Sequence, residues 1–333
     1  MKYLLVDTAN TFFRARHVAH KQSDTWDRLG FAIHATLGSV AKSWRDQKAN
    51  HVVFCLEGRS WRKDFYAPYK ANRAVARAAL TEAEQEEDKL FWETFDVFKD
   101  FIVNKTNCTV LQNQQLEADD LIAGWIANHP DDEHVIVSSD TDFYQLLAAN
   151  VKQYNGIQDE LHTLEGIFDK KGKLVLDKKT KEPKVIPDPE WILFEKCMRG
   201  DPTDNVFSAF PGVRTKGSKN KIGLQEAYAD RNSKGYNWNN LMLQRWVDHN
   251  GEEHRVLDDY ERNRRLVDLK HQPDEIKAVI QKCIAENSQP KAVGMVGAKF
   301  LKFCGKYELN KLADNATAIA DVLSASYPEE KVA

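Results

Sequence analysis

Four short apolar runs, separated by longer stretches of helical periodicity, organise the first part of the chain. Residues 2–7 (KYLLVD), 51–57 (HVVFCLE), 109–112 (TVLQ) and 134–140 (HVIVSSD) are too short for buried helices and read as strands. Between them, Phe13 to Arg45 carries an apolar face, and Leu90 to Ile102 places Phe91, Phe95, Phe98 and Ile102 at helical spacing. Leu121 to Ala127 follows an acidic start at Glu117-Ala118-Asp119-Asp120 and reads as a third helix. Strands alternating with helices predict an α/β fold with a mostly parallel sheet covered on both faces. Such sheets take their ligands beyond the carboxyl ends of the strands. Residues 156–189, rich in Lys, Gly, Asp and Pro, read as a connection with KLVL at 173–176 as a hairpin strand. From Trp191 onward the pattern is helical to the end, with Gly and Pro punctuation at 211–223 and 289–297. A boundary between residues 190 and 191 is therefore expected.

Acids recur at the ends of the expected strands or at the start of the helix that follows. Asp7 closes the first strand and Glu57 the second; Glu117, Asp119 and Asp120 open the helix after the third; Asp140 closes the fourth and Asp142 follows it. Singly, each has an ordinary explanation as a turn residue or a helix cap. Together they converge on one edge of a parallel sheet, where like charges a few ångströms apart cost on the order of kcal/mol even at an effective dielectric near 20. A cation is required there. Hard oxygen donors with no His or Cys among them select Mg²⁺ or Mn²⁺ over zinc. Asp201 and Asp204, three apart in the turn MRGDPTDNVFSAFPGV, are expected to reach the same pocket from the side; the plainer reading is a turn with a helix cap. The histidines are scattered, none at metal spacing with the acids, and receive no role.

The formal net charge of −3 does not itself suggest a nucleic-acid binder, but the charges are sorted into blocks. Arg59 to Arg77 holds six Lys/Arg against one acid, Glu82 to Asp88 is mostly acidic, and Lys170 to Lys184 carries seven lysines against two acids. A basic track beside an acidic pocket is thus possible near zero net charge. Trp61, Phe65, Tyr66 and Tyr69 interleave the first basic run, as in a passage where bases stack while phosphates meet cations; the alternative is a solvated helix with its aromatics in the core. The acidic block reads as an exposed helix start, and the lysine cluster as a solvated loop. Five cysteines, an odd number without a C-x-x-C pair, indicate neither disulfides nor zinc. No apolar run nears the roughly 20 residues of a membrane span. The start breaks at Asp7, too early for a signal peptide, so a soluble cytoplasmic protein is expected. G-M-V-G-A-K near 294 echoes G-V-R-T-K-G near 212 and reads as a helix–turn–helix bend.

Taken in order over residues 1 to about 230, V-D-T at 6–8, W-R-K-D-F-x-x-x-Y-K-A-N-R at 61–73, E-A-D-D at 117–120, S-S-D-T-D-F at 138–143 and R-G-D-P-T-D-N-V at 199–206 resemble the 5′-nuclease (flap endonuclease) superfamily. Within it the likeness is greatest to bacteriophage 5′ nucleases of the T-even RNase H type. The resemblance implies a PIN/5′-nuclease-like core over 1–190 with a helical arch at about 59–100, then a helix–three-turn–helix element and C-terminal helices over 191–333. It implies a two-metal 5′-3′ exonuclease or flap endonuclease that removes RNA primers or flaps from DNA or RNA–DNA duplexes in phage replication. Two Mg²⁺ ions, replaceable by Mn²⁺, are the implied cofactors. One would lie near Asp7, Glu57, Glu117, Asp119 and Asp120, the other near Asp140, Asp142, Asp201 and Asp204. Lys70 and Arg73 match basic residues that approach the scissile phosphate. The implied nucleic-acid contacts are Arg62, Lys63, Tyr69 and Arg77 in the arch, and Arg214, Lys216, Lys219 and Lys221 in the element at 196–230. Implied partners are branched or nicked duplexes, RNA–DNA hybrids with a 5′ end, and a single-stranded-DNA-binding protein or sliding clamp of the replisome, with the chain a monomer in the infected host's cytoplasm.

Two positions depart from the family. Glu57 stands where Asp is usual, and the tight G-I-G-x-K hairpin is stretched to PGVRTKGSKNKIG, which weakens the basis for a monovalent-ion-assisted grip. Nine carboxylates against two divalent ions leave about −5, which the basic run from Arg59 to Arg77 is placed by sequence to offset. A haloacid-dehalogenase phosphatase would need a second Asp two residues after Asp7, where Ala9 stands. A PIN-type ribonuclease would lack the GDxxDN turn. A non-catalytic binding protein on the same fold would have lost acids, and here every expected position is filled.

Overall fold

The computed structural model of the chain describes residues 1–19, 25–219 and 221–329, so part of the helical stretch expected from Phe13 to Arg45 lies outside the described residues. The chain groups into two compact units, one built from residues 1–60, 80–186 and 277 onward, the other from 61–79 and 187–276. This differs from a division at 190/191. The C-terminal helices return to the first unit because their apolar faces belong to its core: Phe300, Phe303 and Leu323 are buried there, with Phe303 stacked 4.3 Å from Phe101.

In the first unit the strands are β1 (Lys2–Asp7), β2 (His51–Leu56), β3 (Thr109–Gln112), β4 (Glu133–Val137), β5 (Val151–Asn155), β6 (Glu160–Thr163) and β7 (Gly166–Asp169). They form one sheet in the order β3-β2-β1-β4-β5-β6-β7. Neighbours from β3 to β5 are parallel, and β5, β6 and β7 run antiparallel to one another. The expected α/β architecture is present, with the four expected strands as its parallel centre. Strands β5 to β7 escaped the pattern because VKQYN, ELHT and GIFD are short and carry too few apolar residues to alternate.

Both faces of the sheet are covered. Leu4, Val6, Val52, Phe54, Val135 and Val137 pack with the helix Glu82–Lys105, whose Phe91, Phe95, Phe98 and Ile102 are buried as spaced. Phe12 seals this layer, its ring 5.1 Å from both Phe91 and Phe95. Thr81 caps the same helix and exchanges bonds with Glu84, so the acidic block is an exposed helix start. On the opposite face the helix Ala118–Asn128 lies against β1, β2 and β3. Because β2 and β3 are laid to one side of β1 and β4 to the other, the chain reverses direction between β1 and β4, which makes a crevice at their carboxyl ends.

The second unit contains the helices Pro189–Arg199, Leu224–Ala229, Tyr236–Met242 and Val256–Val267 and a two-stranded ribbon, β8 (Arg245–Val247) with β9 (Glu253–Arg255). The ribbon interrupts the helical run expected from Trp191 onward. Tyr69, Phe194, Met198, Leu224, Trp238, Leu241 and Tyr260 form its core. Among the described residues, no helix is long and apolar enough to cross a membrane.

Candidate active site

Asp7 is the last residue of β1, opposite Cys55 of β2 in the sheet register, and is almost fully buried. Neutral donors orient it: the Ser138 hydroxyl donates to Oδ2 at 2.8 Å and the Asn10 amide to Oδ1 at 3.3 Å. Ser138, immediately after β4, also accepts the Asp140 amide at 3.1 Å, and Asp140 in turn accepts the Asp142 amide at 3.0 Å. One chain of short bonds thus carries Asp7, Asp140 and Asp142 across the β1/β4 crevice. Gln153 of β5 fixes the same turn by donating to the carbonyls of Ser138 and Asp140, at 3.0 and 2.7 Å.

A second group forms around the ends of β2 and β3. The Gly58 and Arg59 amides donate to the carbonyls of Leu116 and Gln114 at 2.8 and 2.7 Å, so the segment after β2 runs alongside the one after β3. A side chain at Gly58 would put its Cβ 2.1 Å from the Asn113 carbonyl oxygen, so this approach requires glycine. It sets Glu57 against the start of the helix Ala118–Asn128, where its Oε2 accepts the Ala118 amide at 3.4 Å. Glu117 accepts the Ser60 hydroxyl at 2.9 Å and gives its own amide to Asp120 at 3.2 Å; both side chains are buried. Asp119 is half-buried on the same first turn. Burial pushes the Cys55 thiol well up, and the charges of Asp7 and Glu57 add to the shift, a sign of the negative field at this edge.

The acids of the second unit are held differently. Asp201 meets Lys196 at 2.8 Å and accepts the Thr203 amide at 2.8 Å. Burial works to raise its carboxyl, but Lys196 and the amides outweigh it and the net shift is downward. Asp204 accepts Arg73 at 2.7 Å and the Tyr69 hydroxyl at 3.2 Å, with the Lys70 ammonium 3.6 Å away. The Lys70 amide also donates to the Asp204 carbonyl at 2.8 Å. Lys70 and Arg73 are therefore drawn to one aspartate within this unit.

Two expected nucleic-acid contacts need correction. Arg62 is 1 % exposed, lies 4.9 Å over the Trp61 ring and donates to the Leu266 carbonyl at 2.8 Å, so its guanidinium serves the core. Tyr69 is buried in the same core with its hydroxyl on Asp204, and Trp61 is buried too, which leaves Phe65 as the exposed ring of that run. Lys63, Arg77, Arg214, Lys216, Lys219 and Lys221 are exposed. The lysine-rich segment after β7 forms exposed turns in which Asp169 and Asp177 accept backbone amides. All five cysteines are buried and free.

The spacing argument on histidines also fails at one place. Asp248, Glu252 and His254 bring ligand atoms within 4.8 Å of one another at the β8–β9 turn. Asp248 there accepts the amides of Asn250 and Glu252, both at 2.9 Å, which is the work of a turn residue. The antiparallel pairing that brings them together had no signal in a region read as helical.

The model of the 5′-3′ exonuclease N-terminal resolvase-like domain matches residues 2–173, more than half of the chain. The chain belongs to the 5′-3′ exonuclease family. Among curated relatives, a flap endonuclease Xni of Psychromonas ingrahamii is 26% identical over 235 residues, covering 69% of this chain and 78% of that protein. DNA polymerase I of Rhizobium leguminosarum is 29% identical over 240 residues, and there the match covers 68% of this chain but 20% of the polymerase. The ribonuclease H of enterobacteria phage T4 is 26% identical over 217 residues, 58% of this chain and 62% of that one. Among solved structures, the bacteriophage T5 flap endonuclease in complex with DNA and metal ions matches with a TM-score of 0.57 at 18% identity, covering 96% of this chain and all of that one. That likeness is one of fold, and it agrees with a mostly parallel sheet flanked by helices.

Proposed function

We propose that the chain is a divalent-metal-dependent 5′ nuclease that hydrolyses phosphodiester bonds at 5′ ends or flaps of DNA and RNA–DNA duplexes. The observation that carries this reading is the array of Asp7, Glu57, Glu117, Asp120, Asp140 and Asp142 along the carboxyl edge of adjacent parallel strands in a chain of the 5′-3′ exonuclease family. The donor set fits a hard cation: it is all oxygen, and hydroxyls and backbone amides are among the groups that orient its members. Mg²⁺, two ions, is the assignment that the resemblance supports, with Mn²⁺ as substitute. When bound, such ions supply Lewis-acid polarisation of the phosphate and a more acidic water.

The chain's own residues do the rest. Asp7, Glu57, Glu117, Asp119 and Asp120 would hold one ion, and Asp140 and Asp142, with Asp201 and Asp204 on the strength of the motif alone, would hold the other. Ser138 and Ser60 keep two of the carboxylates aimed. Lys70 and Arg73 supply positive charge for the substrate phosphate, and Lys63 and Arg77 extend it along the exposed helix Ala71–Ala78 and the segment before it. Arg214, Lys216, Lys219 and Lys221 grip duplex phosphates from a helix–three-turn–helix element. Primer or flap removal in phage replication, beside a single-stranded-DNA-binding protein or sliding clamp, is the role that the motif resemblance implies.

The test is hydrolysis of a 5′-labelled flap duplex in Mg²⁺. Cleavage is expected to vanish in EDTA and to fall more than about 100-fold in Asp142→Asn, beyond the loss typical of outer-shell partners. Equal cleavage by that variant removes Asp142 from the site, and binding without cleavage by the native chain makes this a non-catalytic structure-specific binder.

A further inference from the structure

The loop from Pro211 to Gly223 is longer than a tight phosphate-gripping hairpin, and its four cationic side chains, Arg214, Lys216, Lys219 and Lys221, are exposed. A long basic loop binds more tightly when its base is fixed, because less backbone conformational entropy is lost on binding. The base here is fixed by one carboxylate. Glu226, on the helix Leu224–Ala229, accepts the Gly217 amide at 3.1 and 2.9 Å on its two oxygens and the Gly223 amide at 2.9 Å. Around this point the two sides of the loop close on each other: Ser218 and Lys221 exchange backbone bonds at 2.7 and 3.2 Å, and the Leu224 and Gln225 amides reach the Arg214 and Thr215 carbonyls.

No side chain fits between the two sides. A Cβ on Gly217 would lie 2.5 Å from the Lys221 carbonyl oxygen, and one on Gly223 would lie 2.4 Å from the Gly217 nitrogen. The glycines bring two amides to one place, where they would repel unless both pointed at an anion. Glu226 is that anion. A backbone amide spent on Glu226 is not available to a phosphate.

We propose that Glu226 is a positioning residue that pins the neck of the 211–223 loop, so that the loop holds duplex phosphates through its cationic side chains and not through the Gly217 and Gly223 amides. This rests on the nucleic-acid reading of the loop given above. It makes binding by the loop steeply dependent on salt, since each phosphate neutralised by a lysine or arginine releases counterion and contributes about −0.9 to the slope of log K against log salt.

The experiment uses the full chain and a fluorescein-labelled 5′-flap DNA duplex, with affinity read by anisotropy in EDTA across a salt series and turnover read in Mg²⁺ at saturating DNA. The Lys219→Ala/Lys221→Ala double variant is expected to reduce the salt slope by about 2. Glu226→Gln keeps length and one acceptor oxygen but removes the charge and turns an NH₂ toward the Gly217 amide. It is expected to weaken binding about tenfold, the scale of hydrogen bonds to a charged group, with saturated turnover within about twofold of native. Glu226→Asp, which keeps the charge but withdraws it by one methylene, should fall between, and it stands in if the glutamine variant does not fold. Native affinity in the folded Glu226 variants together with a weakened lysine variant overturns the pin and leaves the loop's nucleic-acid role standing. Native affinity and slope in the lysine variant overturn that role itself. A turnover loss at saturation as large as the affinity loss also overturns the proposal, because it marks a general structural defect.

Discussion

The two ends of the first unit's sheet use buried polar residues for opposite purposes. At the carboxyl end, carboxylates from β1, the β3–helix connection and the turn after β4 are aimed by serine hydroxyls and backbone amides. At the amino end of the same strands stand imidazoles and aromatic rings. Tyr3 of β1 pairs in register with His51 of β2 and His134 of β4, and Trp125, His129 and Tyr327 close around it. Here three ring nitrogens are spent on the protein: His51 Nδ1 lies 3.0 Å from the Ala325 carbonyl and Nε2 2.8 Å from the Thr109 hydroxyl, and His134 Nε2 lies 2.9 Å from the His129 carbonyl, while His134 Nδ1 is buried without a partner among the described residues. A carbonyl can only accept, so His51 carries its proton on Nδ1 and receives Thr109 on Nε2. One end gathers carboxylates; the other holds His51 and His134 toward the neutral form to close a core.

The comparison breaks most visibly at Asp7. Asp7→Asn keeps the shape and the Ser138 bond but removes the charge. Flap cleavage should drop well beyond the 10–100-fold typical of outer-shell partners, while the melting temperature stays near native. A variant with unchanged cleavage would make the two ends chemically equivalent.

Acid should act on the other end. Burial pushes His51 down to about 4 and lowers His134 as well, each from an ordinary value near 6.5. A base with a depressed folded value binds its proton more readily when unfolded. Its contribution is therefore complete above pH 6.5, is lost as pH falls toward about 4, and changes little below that. For His51 the loss amounts to about 3 kcal/mol. Denaturant midpoints of the native chain and of His51→Asn, which keeps a donor but cannot take the proton, should converge across that window. Parallel curves would place the acid sensitivity elsewhere.

Much of this contrast was legible in the chain. Strand-ending acids recur at Asp7, Glu57 and Asp140, and a parallel sheet must bring them to one edge, so the carboxyl end followed from pattern and elementary topology. The amino end did not. His51, His129 and His134 share no spacing, and what unites them is register across β1, β2 and β4 together with a C-terminal segment that returns from far away in sequence. The same limit explains Arg62 and Tyr69. Their place in a basic aromatic run suggested an exposed passage, yet residues near 200 and 266 bury them. The basic run looks like a surface helix only from Ala71 onward, where the residues of the helix Ala71–Ala78 are exposed.

Smaller changes sharpen the contrast. Ser138→Ala removes the hydroxyl that aims Asp7 and receives the Asp140 amide, and should slow cleavage about 10-fold as an outer-shell loss, with affinity for DNA in EDTA unchanged. If affinity falls in step with cleavage, the serine shapes the fold and not the site.

Tyr327→Phe gives the smallest effect and the cleanest reading of the amino end. The Tyr327 hydroxyl lies 3.0 Å from His129 Nε2, whose other nitrogen faces the Trp125 carbonyl at 2.9 Å. That carbonyl fixes the proton on Nδ1, so Nε2 accepts and the tyrosine donates. Phenylalanine preserves the stacking on Tyr3 but leaves the His129 acceptor nitrogen without its donor and removes the hydroxyl's bond with Tyr3, a cost of about 1–2 kcal/mol. The measured outcome should be a modest fall in the denaturant midpoint with flap cleavage at 25 °C untouched. Cleavage that fell by more than the fraction unfolded would show the two ends of the sheet to be coupled, and the division between a charged site and a neutral clasp would have to be given up.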